Sequence, residues 1–495
     1  MLELAVFGPL LAAGLLAVLP LTDRAARWTW VAVAVTDLAL LVALAVAYRT
    51  PTGGGLAFER QVAWIPSVGV GYHVGVDGLS LPLLLLTGVV FTACAVHALR
   101  EQRRPRAQAA LFLFLQTACL GVFIAQDLVL FFVFFDLTIV GMWFSIAGWG
   151  HGDNRRSALQ FFLYTFLGSL ALLAGFIGLY VAADPHTFDI PALIAAAPLA
   201  DHPLGGAVVL GLILLGLAIK TPLVPFHTWL PPAHTDAPAI GSAVLAGVLL
   251  KLGTYGFVRI AAPVLPEAWR AWAWVLVAIG VLSVLYGGLV ALAQTDLKRL
   301  IAYTSVTHMG YVAVAVGVAG LVDRGDAVLR QVAVTGAVTQ MVSHGLLTGA
   351  LFLLTGALHD RRDSYALDDY GGLARPAPRF AALFGVAAFG SLGLPGFSGF
   401  IAEFQVLSGS IGVTAWAAAA VPGILLTAVL LVRATGSLLT GPTRGRAIGF
   451  ADLRLHEVLP VAGLLALSLL VGLLPAPLLD WITPAAGSVV GLVGR

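Results

Sequence analysis

Charge is what this sequence has least of. Only 11% of its 495 residues are charged and 59% are hydrophobic, whereas soluble domains carry roughly 25% charged residues. That scarcity excludes a soluble globular enzyme and a nucleic-acid surface, and the net charge of +2 favours neither acidic nor basic partners. Cysteine is almost missing. Cys94 and Cys119 both fall inside apolar segments, with no metal-ligand spacing and no disulfide framework. Phosphate loops, CxxC clusters, haem ligand pairs and nucleotide fingerprints are missing too, so no metal or cofactor is expected in this chain. Lysine is scarcest of the basic residues: of 27, only Lys220, Lys251 and Lys298 are not arginine. Arginine bias usually reflects coding habits. Yet two of the three lysines lie within apolar spans, and lysine can shed its proton when desolvated while arginine in practice cannot.

What the chain has in abundance is long apolar stretches, which predict an all-α polytopic membrane protein of about fourteen spans. They fall near 2–20, 28–47, 76–99, 107–125, 128–148, 158–182, 207–231, 237–260, 271–293, 300–320, 331–357, 379–408, 413–440 and 457–475. The N-terminal segment lacks the basic flank of a signal peptide and reads as a retained first span. Polar connections are short, so residues 1–495 form one membrane domain. Basic residues concentrate on the odd-numbered loops: Arg24 and Arg27, Arg100 to Arg106, Arg155 and Arg156, Lys298 and Arg299, Arg361 to Arg379, and Arg444 to Arg454. Those loops are therefore expected to be cytoplasmic, with both termini outward.

Two spans are interrupted. The seventh breaks at "KTPLVP", directly after Lys220, and the twelfth at "SLGLPGFSGF", where Gly393, Pro395, Gly396 and Gly399 cannot sustain a regular helix. Irregular backbone at membrane depth persists only when buried in protein or lining a wet cavity. The breaks lie five spans apart, which suggests two inverted five-helix repeats. The chain then divides into three N-terminal spans (1–106), a first repeat of spans 4–8 (107–262), a second of spans 9–13 (263–440), and a final span with the C-terminus (441–495).

Ionisable residues near mid-span are Asp136, Lys220, Lys251 and Glu403, with the imidazoles of His308 and His344. Each charge at a helix centre costs at least about 2.5–3.5 kcal/mol, so the group implies mutual burial and a hydrated proton or ion path. A structural ion pair is the plainer alternative. Lys220 ends the first half of span 7, where freed carbonyls favour an ammonium and apolar surroundings a neutral amine. Glu403 sits in the early turns of the second half of span 12, a helix end that suits a carboxylate. Histidines in packed bundles are often hydrogen-bonded fixtures, and for His227 and His234 interfacial solvation is a further alternative. Asp37 and Arg433 are weaker candidates, the latter near enough to its helix end to snorkel. Asp77 is expected to cap span 3, and the many Trp and Phe side chains to face lipid or pack.

The blocks "YHVGVDGLSLPLLLLT", "KTPLVPFHTWLPPAHTDAPAIGSAVLAGVLLKLGTYG", "QTDLKRLIAYTSVTHMGYV" and "SLGLPGFSGFIAEF" resemble the antiporter-like membrane subunits of respiratory complex I, the bacterial NADH–quinone oxidoreductase, and among them the M-type subunits. The likeness covers nearly the whole chain. It implies fourteen spans, two inverted five-helix repeats and broken helices 7 and 12. It also implies a proton-translocating role coupled to NADH:quinone electron transfer in partner subunits, which hold NADH, FMN, iron–sulfur clusters and quinone. Partners would be the L-type and N-type antiporter-like subunits in a bacterial inner membrane. Asp136 matches the fifth-span acid that pairs with the seventh-span lysine, Lys220. Lys251 matches the eighth-span lysine joining two half-channels, His308 and His344 the central hydrophilic axis, and Glu403 the terminal residue of span 12. M-type chains carry glutamate there, and their L-type and N-type relatives carry lysine. The long lateral helix of L-type relatives is not expected here.

Two positions depart from the pattern. Aspartate stands at 136 and 236 where the family usually has glutamate, and the missing methylene shortens reach by roughly 1.5 Å. The Asp136–Lys220 pair would then need a bridging water or a shifted helix. The alternative reading of the resemblance is a subunit of a multisubunit cation/proton antiporter or an energy-converting hydrogenase. A stand-alone solute transporter binding at the helix breaks lacks any further substrate-pocket signature, and a purely structural scaffold is at odds with four intact intramembrane charges.

Overall fold

The computed structural model describes residues 1–51, 55–324 and 326–495. Among them, thirteen helices are long and apolar enough to cross a membrane. The shorter apolar helix Leu2–Val18 and the paired half-helices Pro378–Ser391 and Ser398–Val413 supply expected spans 1 and 12. Every segment read from the sequence as a span is therefore helical. The arrangement is an all-α bundle in which the least apolar of the expected spans lie innermost. Span 8 (Ala239–Val264), span 10 (Leu297–Val318) and span 11 (Ala327–Arg362) are buried along nearly their whole length. Their polar side chains could not be tolerated against lipid, so the more uniformly apolar spans 2, 6, 9, 13 and 14 take the periphery.

Both expected breaks are present. Span 7 runs Pro203–Lys220, unwinds, and resumes at Leu230–Asp236. The backbone groups freed by the break are met inside the protein: Trp229 Nε1 donates to the Ile219 carbonyl at 2.9 Å, and Val224 N–H donates to Ser283 Oγ at 2.9 Å. Span 12 stops at Ser391 and restarts at Ser398, with Gly393 and Gly396 at φ +84° and +100°. Span 8 carries a feature with no sequence signal. Two π-helical segments, Leu245–Leu249 and Phe257–Ala261, flank Lys251, and such insertions concentrate at functional sites.

Three elements depart from the expectations. The connection before span 3, read as loop, contains an antiparallel hairpin of β1 (Ala57–Ile65) and β2 (Val70–Val76), with Gln61 opposite His73. A further long helix, Ala476–Val493, follows span 14. Its apolar face of Leu478, Ile482, Ala486, Val489, Val490 and Val493 is buried. Gln331, at the start of span 11, donates to the Thr483 carbonyl at 2.8 Å, and Arg270, at the start of span 9, donates to the Val493 carbonyl at 2.7 Å. The helix thus lies across span ends on one face. Lys298, assigned from sequence to a loop, is instead fully buried. Its ammonium donates to the carbonyls of Thr235 (3.3 Å) and Ala237 (2.6 Å), the end of the second half of span 7, where a cation offsets unsatisfied carbonyls. Asp77 does cap span 3, accepting from Leu79 N and Ser80 N at 3.0 Å each, and pairs with Arg259 at 2.5 Å.

Candidate functional site

The polar residues singled out in the sequence gather along the buried centre of the bundle. Lys220 is carried there by the last turn of the first half of span 7 and is 1% exposed. Its Nζ donates to Thr138 Oγ1 of span 5 at 2.9 Å and lies 4.7 Å from the Phe135 ring centroid. Asp136, one residue from Phe135, makes no ion pair with it among the described residues, and Asp136 Oδ1 is buried without a hydrogen-bond partner. The ammonium takes the threonine hydroxyl instead. Thr138 was not anticipated. The only hint is that it interrupts an otherwise apolar helix two residues after Asp136.

From Lys220 the polar trail turns to span 8. Thr221 Oγ1, buried and unpartnered, packs against Gly253, two residues from Lys251. Lys251 is fully buried. Its Nζ donates to the Ala246 carbonyl inside the first π-segment and lies 2.6 Å from His344 Nδ1 of span 11. A π-segment offers such a carbonyl because it misaligns one turn of the helical ladder. The His344 and His308 rings meet edge to face at 5.3 Å between centroids. His308 Nε2 in turn lies 3.6 Å from Glu403 Oε1. Lys251, His344, His308 and Glu403 therefore form one file of titratable groups spanning spans 8, 11, 10 and 12, each at most 5% exposed.

The span 12 break makes room for the end of this file. A side chain at Gly393 would place its first carbon 2.7 Å from Glu403 Oε2, so the left-handed glycine and the carboxylate share one space. A hydroxyl chain runs alongside, Ser343 to Ser398 at 2.8 Å and Ser398 to Ser468 at 2.7 Å. None of these serines was picked from the sequence, since isolated serines in apolar helices carry no periodic signal.

The weaker candidates make no hydrogen bond or ion pair with the file among the described residues, although His234 lies close to it. His234 is fully buried and stacks on Phe352 at 4.4 Å, so it is not an interfacial residue. His227 is 4% exposed and packs edge to face against Tyr286. Asp37 accepts from Gln116 Nε2 at 2.5 Å between spans 2 and 4. Arg433 snorkels as expected, its guanidinium donating to the carbonyls of Leu292 (2.7 Å) and Gln294 (2.6 Å) beyond span 9. Chemically, the file offers groups that exchange protons, with no nucleophile–base pair. No group of three or more metal-ligating side chains occurs among the described residues.

The sequence and fold have clear relatives. Residues 125–430 match the family described as NADH:quinone oxidoreductase/Mrp antiporter, transmembrane. The chain is 38% identical over 429 residues to NADH-quinone oxidoreductase subunit M of Rickettsia bellii, covering 86% of this chain and 84% of that one. It is 37% identical to the subunit of the same name from Rhodobacter capsulatus, covering 99% and 96%. Among solved structures it superposes on a chain of respiratory complex I from Thermus thermophilus with a TM-score of 0.90 at 30% identity, over all of both chains. A chain of the Mrp complex from Dietzia sp. shares the fold with a TM-score of 0.86 at 23% identity. The two broken helices, the buried lysines and the whole-length likeness converge: this chain belongs to the NADH:quinone oxidoreductase/Mrp antiporter family of transmembrane proteins.

Proposed function

We propose that this chain is an M-type antiporter-like subunit of an NADH–quinone oxidoreductase, moving protons across the membrane while other subunits carry out electron transfer. The observation that carries the reading is the closely spaced file Lys251–His344–His308–Glu403 through the buried centre, with broken spans at Lys220 and ahead of Glu403. Intramembrane charges of this kind are expensive, and their alignment supports a path more than isolated ion pairs would.

In this mechanism a change transmitted along the membrane arm moves Asp136 relative to Lys220. A carboxylate approaching the ammonium stabilises it, and a carboxylate withdrawing releases its proton. The proton passes the Thr221 region to Lys251, crosses the two imidazoles, and leaves by Glu403. Because neighbouring sites titrate together, no single group owns a step. The chain holds no redox group in this scheme; NADH, FMN, iron–sulfur clusters and quinone belong to partner subunits, and L-type and N-type subunits are the immediate neighbours. The cell membrane of a bacterium is the setting, with both termini outward, as the arginine-rich odd loops support.

The Mrp-type antiporter is the second reading, favoured by the shared fold. Glutamate at 403 and 37–38% identity to the two M subunits weigh toward the first. Co-purification of flavin and iron–sulfur proteins with the chain separates the two. The direct test is Lys220→Ala in the reconstituted complex, which is expected to abolish proton pumping and slow quinone reduction in parallel. Normal pumping by that variant would sink the proposal.

A further inference from the structure

On the face holding the hairpin, away from the proton file, His73 of β2 sits between two carboxylates. Its Nδ1 lies 2.5 Å from Asp189 Oδ2, and its Nε2 lies 2.9 Å from Glu59 Oε1 of β1. The ring is 3% exposed. Asp189 also accepts from Gln61 Nε2 at 3.3 Å and caps the helix Ile190–Ala196 through Ala192 N at 2.9 Å. The same strand is tied to the top of span 5 (Leu128–Trp149). Asp127 caps that span through Val129 N and Leu130 N, and also accepts from Gly71 N of β2 at 3.0 Å, while Gln126 N–H donates to the His73 carbonyl at 2.9 Å. The charged groups facing the imidazole are thus Glu59 from β1 and Asp189 from the loop ahead of Ile190–Ala196. Asp127 faces the strand's backbone.

A neutral imidazole has one donor nitrogen and one acceptor nitrogen, and ionised carboxylates only accept. With a carboxylate at each nitrogen, both contacts are hydrogen bonds only when the triad holds one proton more than a neutral histidine between two carboxylates. We propose that Glu59, His73 and Asp189 form a proton-binding latch that fastens the hairpin to the loop ahead of Ile190–Ala196 when protonated and loosens that attachment when the proton leaves.

Burial alone disfavours the imidazolium, but Asp189 and Glu59 outweigh it and hold His73 above its ordinary value. A raised value means the latch is fully closed below the ordinary histidine pKa of about 6.5. It weakens as pH rises through the higher, latched value. The loop that supplies Asp189 is bonded to the start of span 5, where Leu128 N–H donates to the Phe188 carbonyl at 2.9 Å, and span 5 is the helix that carries Asp136 and Thr138. That the acidified side is the hairpin side rests on the proposed function; the latch chemistry does not.

Hydrogen-exchange mass spectrometry of the intact purified complex tests it, following residues 57–76 from pH 6 to 8.5 with correction for intrinsic exchange. In the wild type, protection is expected to fall with pH by up to about tenfold per unit, the limit for one linked proton. Glu59→Gln supplies an amide that donates to a neutral imidazole, so its hairpin is expected to stay protected with no pH slope. His73→Phe is expected to be weakly protected at every pH. A flat wild-type profile, or an unchanged slope in either variant, overturns the latch. Should His73→Phe fail to assemble, the wild-type and Glu59→Gln slopes still decide. These outcomes do not depend on whether the complex pumps protons, so failure of the latch and failure of the pumping role are distinguishable.

Discussion

Gly393→Ala is the substitution whose effect the structure specifies most closely. Gly393 has φ +84°, a backbone that costs an L side chain about 1–2 kcal/mol. Its new methyl carbon would also lie 2.7 Å from Glu403 Oε2, where ordinary contact begins at 3.4 Å. Oε2 must therefore shift by about 0.7 Å, displacing the carboxylate whose other oxygen, Oε1, lies 3.6 Å from His308 Nε2. Misplacing reacting groups by 1 Å can lower a rate by about 10²-fold, so a shift of this size is worth on the order of tenfold. Gly396→Ala is the matched control. It has φ +100°, yet its methyl carbon would meet only Leu473 at 3.9 Å. Both variants bear backbone strain; only the first moves Glu403. The assay is proton uptake by proteoliposomes normalised to quinone reduced. Gly393→Ala is expected to pump roughly tenfold less, with Gly396→Ala near wild type. Equal losses in the two would refute the argument, showing that strain at the break and not the position of Glu403 limits transfer.

Asp136→Glu adds the methylene that the carboxylate lacks, roughly 1.5 Å of reach, and is expected to preserve or raise pumping, whereas Asp136→Asn lowers it in the same liposome assay. Full activity in the asparagine variant would make the carboxylate dispensable. Trp229→Phe removes the donor that satisfies the Ile219 carbonyl at the span 7 break; leaving a buried acceptor unpaired costs about 1–3 kcal/mol. A lower midpoint for thermal loss of quinone-coupled activity reads that loss, and an unchanged midpoint would mean that another donor replaces the indole.

The apolar runs alone determined that the chain is an all-α membrane protein, because lipid permits few other backbones and twenty apolar residues leave little ambiguity. The clustered prolines and glycines after Lys220 and Ser391 located both broken helices, since several such residues in one turn remove helical hydrogen bonds and favour other backbone conformations. Intramembrane charges marked Lys220, Lys251 and Glu403 for the same energetic reason. Only tertiary packing decided which of them meet. Lys251 meets His344 from between two π-segments of span 8, and backbone insertions of that kind have no residue signature. Thr138, and not Asp136, takes the Lys220 ammonium, a choice set by how spans 5 and 7 pack. Lys298 looked like a loop cation and is buried, since the carbonyls it caps belong to a helix end more than sixty residues away in sequence. The hairpin latch was equally invisible: Glu59, His73 and Asp189 are brought together from β1, β2 and a distant loop, and a contact of that kind is a property of the fold.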